Sequence, residues 1–202
     1  MEEIIFYIGI VLFSITSVMF LMLKKKNSEI ASLNLIVNFT TITSYVLMVS
    51  ELAVVTASNG DSIYWTRWAF YALSCSFLMF EISKILGIDK KTTLEIIVFN
   101  ILVMVTGLLA SITQGAAKWL FFSLSSLAYI YNLYLIGNNR AEQKFIIIFV
   151  VIFWSGFPLF WLLSPAGFMV LNAFWTALFY LVLDLITKVY FGIHTTLKFK
   201  ET

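Results

Sequence analysis

The chain of 202 residues is poor in charge and has almost no cysteine. Charged residues make up 12% of it, and Cys75 is the only cysteine, so an intrachain disulfide is excluded. Histidine, cysteine and carboxylate residues form no cluster with the spacing of metal ligands, and we expect no metal site. The N-terminus lacks the basic start and small-residue cleavage site of a signal peptide, so we expect the first apolar segment to be retained.

Apolar residues dominate the rest of the composition. With 61% hydrophobic residues and a mean hydropathy of +0.95, the chain is typical of a polytopic membrane protein. The net charge of +2 therefore does not indicate nucleic-acid binding, and we expect lipid, not nucleic acid, as a partner. Seven segments have roughly the 20 residues that a helix needs to cross the hydrocarbon core. We predict an all-α fold in which residues 1–202 form one seven-helix membrane domain. The predicted spans are 3–23, 30–57, 62–87, 92–113, 118–137, 144–163 and 168–193.

The basic residues between these segments are distributed unevenly. Only Lys118 flanks a predicted helix on one side, whereas ten basic residues lie on the other. Because cytoplasmic loops carry an excess of Lys and Arg, this asymmetry predicts an extracellular N-terminus and a cytoplasmic C-terminus. The ten residues are Lys24, Lys25, Lys26, Lys84, Lys90, Lys91, Arg140, Lys144, Lys198 and Lys200.

Lys188 lies near the middle of the last apolar segment, and Asp184 precedes it by four residues. An isolated ammonium at mid-bilayer costs from about 3 to more than 10 kcal/mol, so a lysine kept there suggests a function. At this spacing the two side chains share one helix face, about 6 Å apart along the axis. An amine in an apolar pocket can condense with an aldehyde, and the protonated imine needs a negative partner. The residues therefore indicate a Schiff-base cofactor site, and the alternative is an ion pair that only neutralises charge between helices.

The residues around Lys188 carry a family resemblance. The sequence LVLDLITKVYFG from Leu181 to Gly192, together with FWSGFPLFWLL in helix six, resembles the microbial rhodopsins. The resemblance implies that Lys188 forms the Schiff base with retinal, all-trans in the dark, and that Asp184 is a counter-ion. It also implies that helix six supplies part of the retinal pocket through Trp154, Phe157, Pro158 and Trp161.

Three other helices supply the remaining predicted pocket residues. Phe70 and Tyr71 of helix three are in register with the lysine's side of the bundle, and could otherwise be core or lipid-facing residues. In helices four and five the matches to the family are weaker, and ordinary packing of small residues explains them equally well. These weaker matches are Asn100, Val103, Gly107, Phe122, Ser125 and Ser126.

Helix three indicates the kind of rhodopsin. Phe70 occupies the position, three residues after Arg67, where the family carries its primary counter-ion carboxylate. Ser74 and Glu81 follow in the same register, and with Cys75 this pattern resembles the schizorhodopsins. That resemblance implies a light-driven inward proton pump, an ion transporter and not an enzyme, with protons as its cargo. It also implies a homotrimer in the cell membrane.

The direction of transport can be argued from the residues themselves. A phenyl ring at position 70 cannot accept a proton, so Asp184 is the sole negative partner of Lys188, and a carboxylate beside a cation resists protonation. Glu81 lies 11 residues from Phe70, about 16 Å along a helix, toward the cytoplasm. The predicted proton pathway therefore comprises Glu81, Ser74, Cys75, Arg67 and Asp184.

Each of these residues also has a simpler interpretation. Glu81 could pair with Lys84 or Lys144, Ser74 could bond to a carbonyl of its own helix, Cys75 could be a small apolar residue, and Arg67 could reach the extracellular interface. Because retinal, lysine and counter-ion are common to the family, a photosensor or a light-gated conductance remains an alternative function. A seven-helix receptor or transporter without a pigment is the third.

Overall fold

The computed structural model describes residues 1–52, 54–57, 60–138 and 143–199. Within these residues seven helices and one short β-hairpin are present. The hairpin pairs β1 (Val54–Thr56) with β2 (Ser62–Tyr64) in antiparallel register. The prediction of an all-α seven-helix bundle is confirmed apart from this hairpin. The helices are α1 (Glu2–Leu23), α2 (Ser28–Val49), α3 (Thr66–Ile85), α4 (Lys90–Ile112), α5 (Gly115–Gly137), α6 (Lys144–Leu163) and α7 (Ala173–Lys198).

Three helices begin at a side chain that caps their free backbone donors. Asn27 accepts a hydrogen bond from Ile30 N at the start of α2. Asp89 accepts from two backbone amides at the start of α4, and Asn172 accepts from Trp175 N at the start of α7. Because the first amides of a helix have no partner within it, such caps determine where each helix begins.

Two adjoining helix boundaries differ from their predicted spans. The predicted spans 30–57 and 62–87 continue through residues that form the hairpin, and Ala53 of the first span lies outside the described residues. Glu51 adopts a φ of 52°, which α-helical backbone does not allow. The β-branched residues that follow favour an extended strand over a helix. The helix therefore ends at Val49, although the predicted span continues to residue 57.

The last helix also differs from its predicted span of 168–193. Its start at Ala173 follows the Asn172 cap, and it continues to Lys198. Phe168 N and Leu171 N instead bond to carbonyls at the end of α6, at 2.7 and 2.8 Å. These residues therefore form a tight connection and not the first turn of α7.

Two helices contain a π-helical segment. The segment Val150–Trp154 interrupts α6, and Leu185–Tyr190 interrupts α7. π segments are rare and occur frequently at functional sites. Lys188 lies within the second segment.

Six of the seven helices are long and apolar enough to cross a membrane by length and composition. The exception is α3, which carries Arg67, Glu81 and Lys84. Large apolar side chains such as Val11, Ile15 and Leu127 are exposed on the outside of the bundle, as expected for surfaces in contact with lipid. The protein is therefore a multi-pass membrane protein.

The two ends of the bundle differ in structure and in charge. We call the end that carries β1 and β2 the hairpin end, and the other the C-terminal end. Lys118 lies at the hairpin end, at the start of α5. Two of the ten basic residues expected on the opposite side, Arg140 and Lys200, lie outside the described residues, and the helix order brings the other eight to the C-terminal end.

Candidate functional site

A buried ion pair joins Lys188 to Asp184. The lysine Nζ lies 2.8 Å from Asp184 Oδ1, and both side chains are 1% exposed. The spacing of four residues predicted that they would share a helix face, and the structure brings them into contact. Removing a charged amine from water is unfavourable unless a counter-ion accompanies it, and Asp184 is that counter-ion in this structure.

Two tyrosines hold the other oxygen of Asp184. Tyr45 Oη of α2 and Tyr71 Oη of α3 donate to Asp184 Oδ2 at 3.0 and 2.7 Å. The Lys188 ammonium also lies 3.9 Å from the centroid of the Tyr71 ring, a cation–π distance. The carboxylate is therefore bound from three helices, and Tyr45 was not among the predicted residues.

Arg67 is buried at the hairpin end, behind this tyrosine layer. Its guanidinium lies 4.4 Å from the centroid of the Tyr180 ring, and its Nη2 contacts Met48 Sδ at 3.7 Å. The side chain is 5% exposed, so it does not extend to the interface. Within the described residues no carboxylate oxygen lies within 4 Å of Arg67. Its charge therefore acts on Asp184 across the tyrosines and not by direct contact.

A cavity lies between α3, α4, α5, α6 and α7. It adjoins Lys188 through Tyr71 and Thr187, and Phe122 stacks on Trp161 at one end with centroids 4.5 Å apart. Trp161 is held in place by a 2.8 Å hydrogen bond from its Nε1 to Ser111 Oγ. Eleven of the twelve predicted pocket residues line this cavity, namely Tyr71, Asn100, Val103, Gly107, Phe122, Ser125, Ser126, Trp154, Phe157, Pro158 and Trp161.

The remaining predicted pocket residue, Phe70, does not line the cavity. Its neighbour Tyr71 faces the cavity instead, because consecutive helical residues point about 100° apart. Trp68 was missed, yet it lines the cavity and packs closely on Gly107, where an added Cβ would lie 3.0 Å from Trp68 Cζ3. Further lining residues that the resemblance did not supply are Leu78, Met79, Met104, Tyr129, Asn132 and Thr187, and Cys75 was assigned only to the proton pathway.

Glu81 is the second buried carboxylate, toward the C-terminal end. It is 1% exposed; its Oε2 accepts from Asn34 Nδ2 at 2.9 Å, and its Oε1 accepts from Thr195 Oγ1 at 2.6 Å. Lys84 pairs with Glu29 instead. The alternative in which Glu81 pairs with a surface lysine is therefore wrong, and its partners are two neutral donors from α2 and α7.

Small side chains of α3 lie between the two carboxylates. Ser74 and Cys75 are both buried. Within the described part of the chain the Ser74 hydroxyl has no hydrogen-bond partner, so it does not bond back to a carbonyl of its helix. A buried hydroxyl without a partner is unfavourable unless it bonds to a water molecule or takes part in proton transfer.

The fold and the site define a seven-helix membrane protein with a lysine and its counter-ion beside an aromatic cavity. A family model for bacteriorhodopsin-like proteins matches residues 1–199. Bacteriorhodopsin-II of Haloarcula marismortui is 24% identical over 143 residues, 64% of this chain and 57% of that protein. Bacteriorhodopsin of Halobacterium salinarum is 25% identical over 182 residues, 84% of this chain and 70% of that protein. The chain thus matches less than two thirds of the length of some curated relatives.

Among solved structures, schizorhodopsin 4 superposes with a TM-score of 0.97. It is 65% identical to the chain, and the alignment covers 98% of this chain and 100% of that one. The chain therefore belongs to the bacteriorhodopsin-like family and, within it, to the schizorhodopsins.

Proposed function

We propose that the protein is a light-driven inward proton pump that carries retinal on Lys188 as a protonated Schiff base. The observation that supports the inward direction is the placement of the two buried carboxylates. Asp184 is bound by a cation and two phenols, whereas Glu81 is bound only by neutral donors toward the C-terminal end.

The residues present fit a retinal group. The Lys188 amine is buried, makes no aligned hydrogen bond within the described residues and adjoins a long cavity enclosed by aromatic rings. Bound there, retinal supplies light absorption and an isomerisation that changes the acidity and direction of the N–H at Lys188. Trp154, Pro158 and Trp161 would hold the polyene from α6, and Phe122, Ser125 and Gly107 would enclose its ring end.

Asp184 serves as the fixed counter-ion of Lys188. Tyr45 and Tyr71 donate to its Oδ2 and the Lys188 ammonium contacts its Oδ1, so both carboxylate oxygens are already occupied. Asp184 is therefore a poor acceptor for a proton leaving Nζ. Position 70 carries a phenylalanine, whose ring cannot accept a proton, so it offers no other acceptor on the hairpin side.

Glu81 draws the proton in the opposite direction. Ser74 and Cys75 lie along α3 between Lys188 and Glu81 and would support a short chain of hydrogen bonds. Asn34 and Thr195 hold the carboxylate in place while leaving its charge uncompensated by any cation within 4 Å in the described chain. A negative charge at this position attracts a proton moving toward the C-terminal end.

The membrane orientation follows from the basic residues. The hairpin end would be extracellular and the C-terminal end cytoplasmic, since the described C-terminal end carries eight of the predicted basic residues. Lys188 would be reprotonated from outside, past Arg67 and Asp184. Net proton movement would then be inward.

The direction can be tested with cells that express the protein in unbuffered medium. Illumination should raise the external pH, and a protonophore should abolish the change. Acidification would contradict the proposal. A coloured protein without any light-dependent pH change would instead support a photosensor or a conductance, the alternatives that share the same site.

A further inference from the structure

A second cavity lies at the hairpin end, on the far side of Tyr45 and Tyr71 from Lys188. Its wall combines the hairpin with parts of α1, α3, α4, α6 and α7. The polar or charged residues that line it include Ser62, Tyr64, Arg67, Ser111, Ser164 and Thr176. No carboxylate is among its lining residues in the described chain.

Arg67 is the only charged residue in that wall within the described chain. It is 95% buried, and its Nη1 has no hydrogen-bond partner within the described residues. The Oγ1 of Thr176, one turn into α7, also lacks a partner. A ligand or solvent group in the cavity would satisfy these two buried polar groups, which belong to residues that line it.

The buried charges at this end of the bundle do not balance. Arg67 and Lys188 are buried cations, and Asp184 is the single buried carboxylate at this end of the described chain. Glu81 is 14 residues from Arg67, about 21 Å along α3, and does not neutralise it locally. One excess positive charge in a low-dielectric interior is costly unless an anion compensates it, and a neutral water molecule cannot do so.

The carboxylate that bonds to a lining residue of the cavity does not supply that negative charge. Glu2 accepts from Tyr64 Oη at 3.3 Å and lies 3.4 Å from the N-terminal amine, which balances it. Burial and the nearby Glu2 carboxylate raise the pKa of Tyr64 to about 12, so this phenol stays neutral. The start of α7 also lies at this cavity through Ala173 and Thr176, and the positive end of a helix dipole favours an anion.

We propose that this cavity is a binding site for a small monovalent inorganic anion such as chloride. Arg67 Nη1 supplies the charge and a donor, and Thr176 Oγ1 supplies a second donor. The anion would compensate the excess positive charge of the Arg67, Lys188 and Asp184 group. The inference does not depend on the direction of proton transport, and its tests are performed in the dark.

Binding can be measured by the line width of ³⁵Cl NMR on the purified pigment in detergent. The wild type should broaden the chloride signal in a saturable manner, and bromide or nitrate should compete. Thermal unfolding provides a second readout, because an anion that binds only the folded state raises the unfolding temperature when chloride replaces gluconate.

Variants distinguish anion binding in this cavity from anion binding to other positive charges on the protein. Arg67→Gln should abolish the saturable broadening, and Thr176→Val should weaken binding several-fold while Thr176→Ser retains it. Lys118→Gln is the matched control, because it removes a cation at the same end that does not line this cavity. If Arg67→Gln does not fold, the test is the difference in saturable chloride broadening between Thr176→Val and Thr176→Ser. Saturable broadening that is absent in the wild type, or equal in wild type and Thr176→Val, would overturn the proposal.

Discussion

Asn34 Nδ2 donates a 2.9 Å hydrogen bond to Glu81 Oε2, and Gly192 of α7 makes room for the asparagine. A Cβ added at Gly192 would overlap Asn34 Oδ1 and would lie 2.9 Å from the Phe20 ring. The absence of a side chain on α7 therefore allows a residue of α2 to reach the carboxylate of α3. Residues of α2, α3 and α7 therefore determine the position of Glu81, the proposed proton acceptor.

Gly192→Ala should disturb the close approach of α7 to Asn34. The methyl group should displace Asn34, break its bond to Glu81 and lower the free energy of unfolding by about 1–3 kcal/mol. Inward transport per pigment should fall, as measured by the initial slope of the light-induced pH change. Gly137→Ala is the control, because a Cβ there meets no atom within 4 Å. Equal transport and equal unfolding temperature in both variants would show that the close approach is unimportant.

Lys188→Ala should give a folded protein without colour. No other lysine in the described chain lies buried beside the cavity, so retinal would have no amine to bind. Absorption spectra after retinal addition test this, with Lys91→Ala, which changes an exposed lysine, as the coloured control. A visible band that survives in Lys188→Ala would refute the assignment.

Asp184→Asn should destabilise the protonated pigment. The change keeps an acceptor for the tyrosine hydroxyls but leaves Lys188 without its ion pair, a loss of about 3–5 kcal/mol for a broken buried pair. We expect most of the pigment to lose its visible band near neutral pH in a spectral titration. Tyr45→Phe removes one hydrogen bond and keeps the charge, so its effect should be smaller. A normal visible band in Asp184→Asn at pH 7 to 8 would mean that another anion is the counter-ion.

Glu81→Gln should abolish most inward transport while the pigment remains. The amide keeps the volume but removes the charge that attracts the proton, and loss of a positioned proton-transfer group costs on the order of a hundredfold or more in rate. Light-induced pH changes at matched pigment levels measure the effect. Glu29→Gln is the control, since it removes a carboxylate at the same end that pairs with Lys84. Undiminished transport in Glu81→Gln would remove Glu81 from the mechanism.

Phe70→Asp should weaken inward transport. A carboxylate at this position would compete for the proton at Lys188 from the hairpin side, although Phe70 itself does not line the cavity. The same pH assay tests this, with Phe70→Leu as an apolar control. Full reversal is not expected, because outward transport also needs a release route and a protonated cytoplasmic donor. Transport equal to that of Phe70→Leu would show that position 70 faces away from the lysine.

The sequence predicts contacts in the site well where both residues belong to the same helix. Lys188 and Asp184 meet because a spacing of four is a property of a single helix, and the family resemblance of individual helices supplied eleven of the cavity residues. The partners of Glu81 could not be predicted in this way, because Asn34 and Thr195 come from other helices. Contacts between helices depend on rotation and register, which one sequence does not determine.

The sequence of α2 carries a further signal for the site. Polar residues recur on one face of α2 at Asn34, Asn38, Thr41 and Tyr45, and all four are at most 1% exposed. A polar stripe on an apolar helix is expected to face the interior of the bundle. This pattern would have placed both Asn34 and Tyr45 near the site. The hairpin strands, in contrast, lie at the facing ends of two predicted apolar spans, and hydropathy alone did not distinguish them from helix.

The π segment Leu185–Tyr190 divides α7 into two parts, and the side chains of the second part are rotated about the helix axis relative to those of the first. Each hydrogen bond of a π turn spans one residue more than that of an α-helix, so the segment contains an additional residue. One additional residue rotates all later side chains by about 100°. On an ideal α-helix residues 184 and 195, 11 positions apart, would point about 20° apart, and the additional residue changes this angle by about 100°. The phase shift is therefore part of how one helix places Asp184 beside the tyrosines and Thr195 beside Glu81.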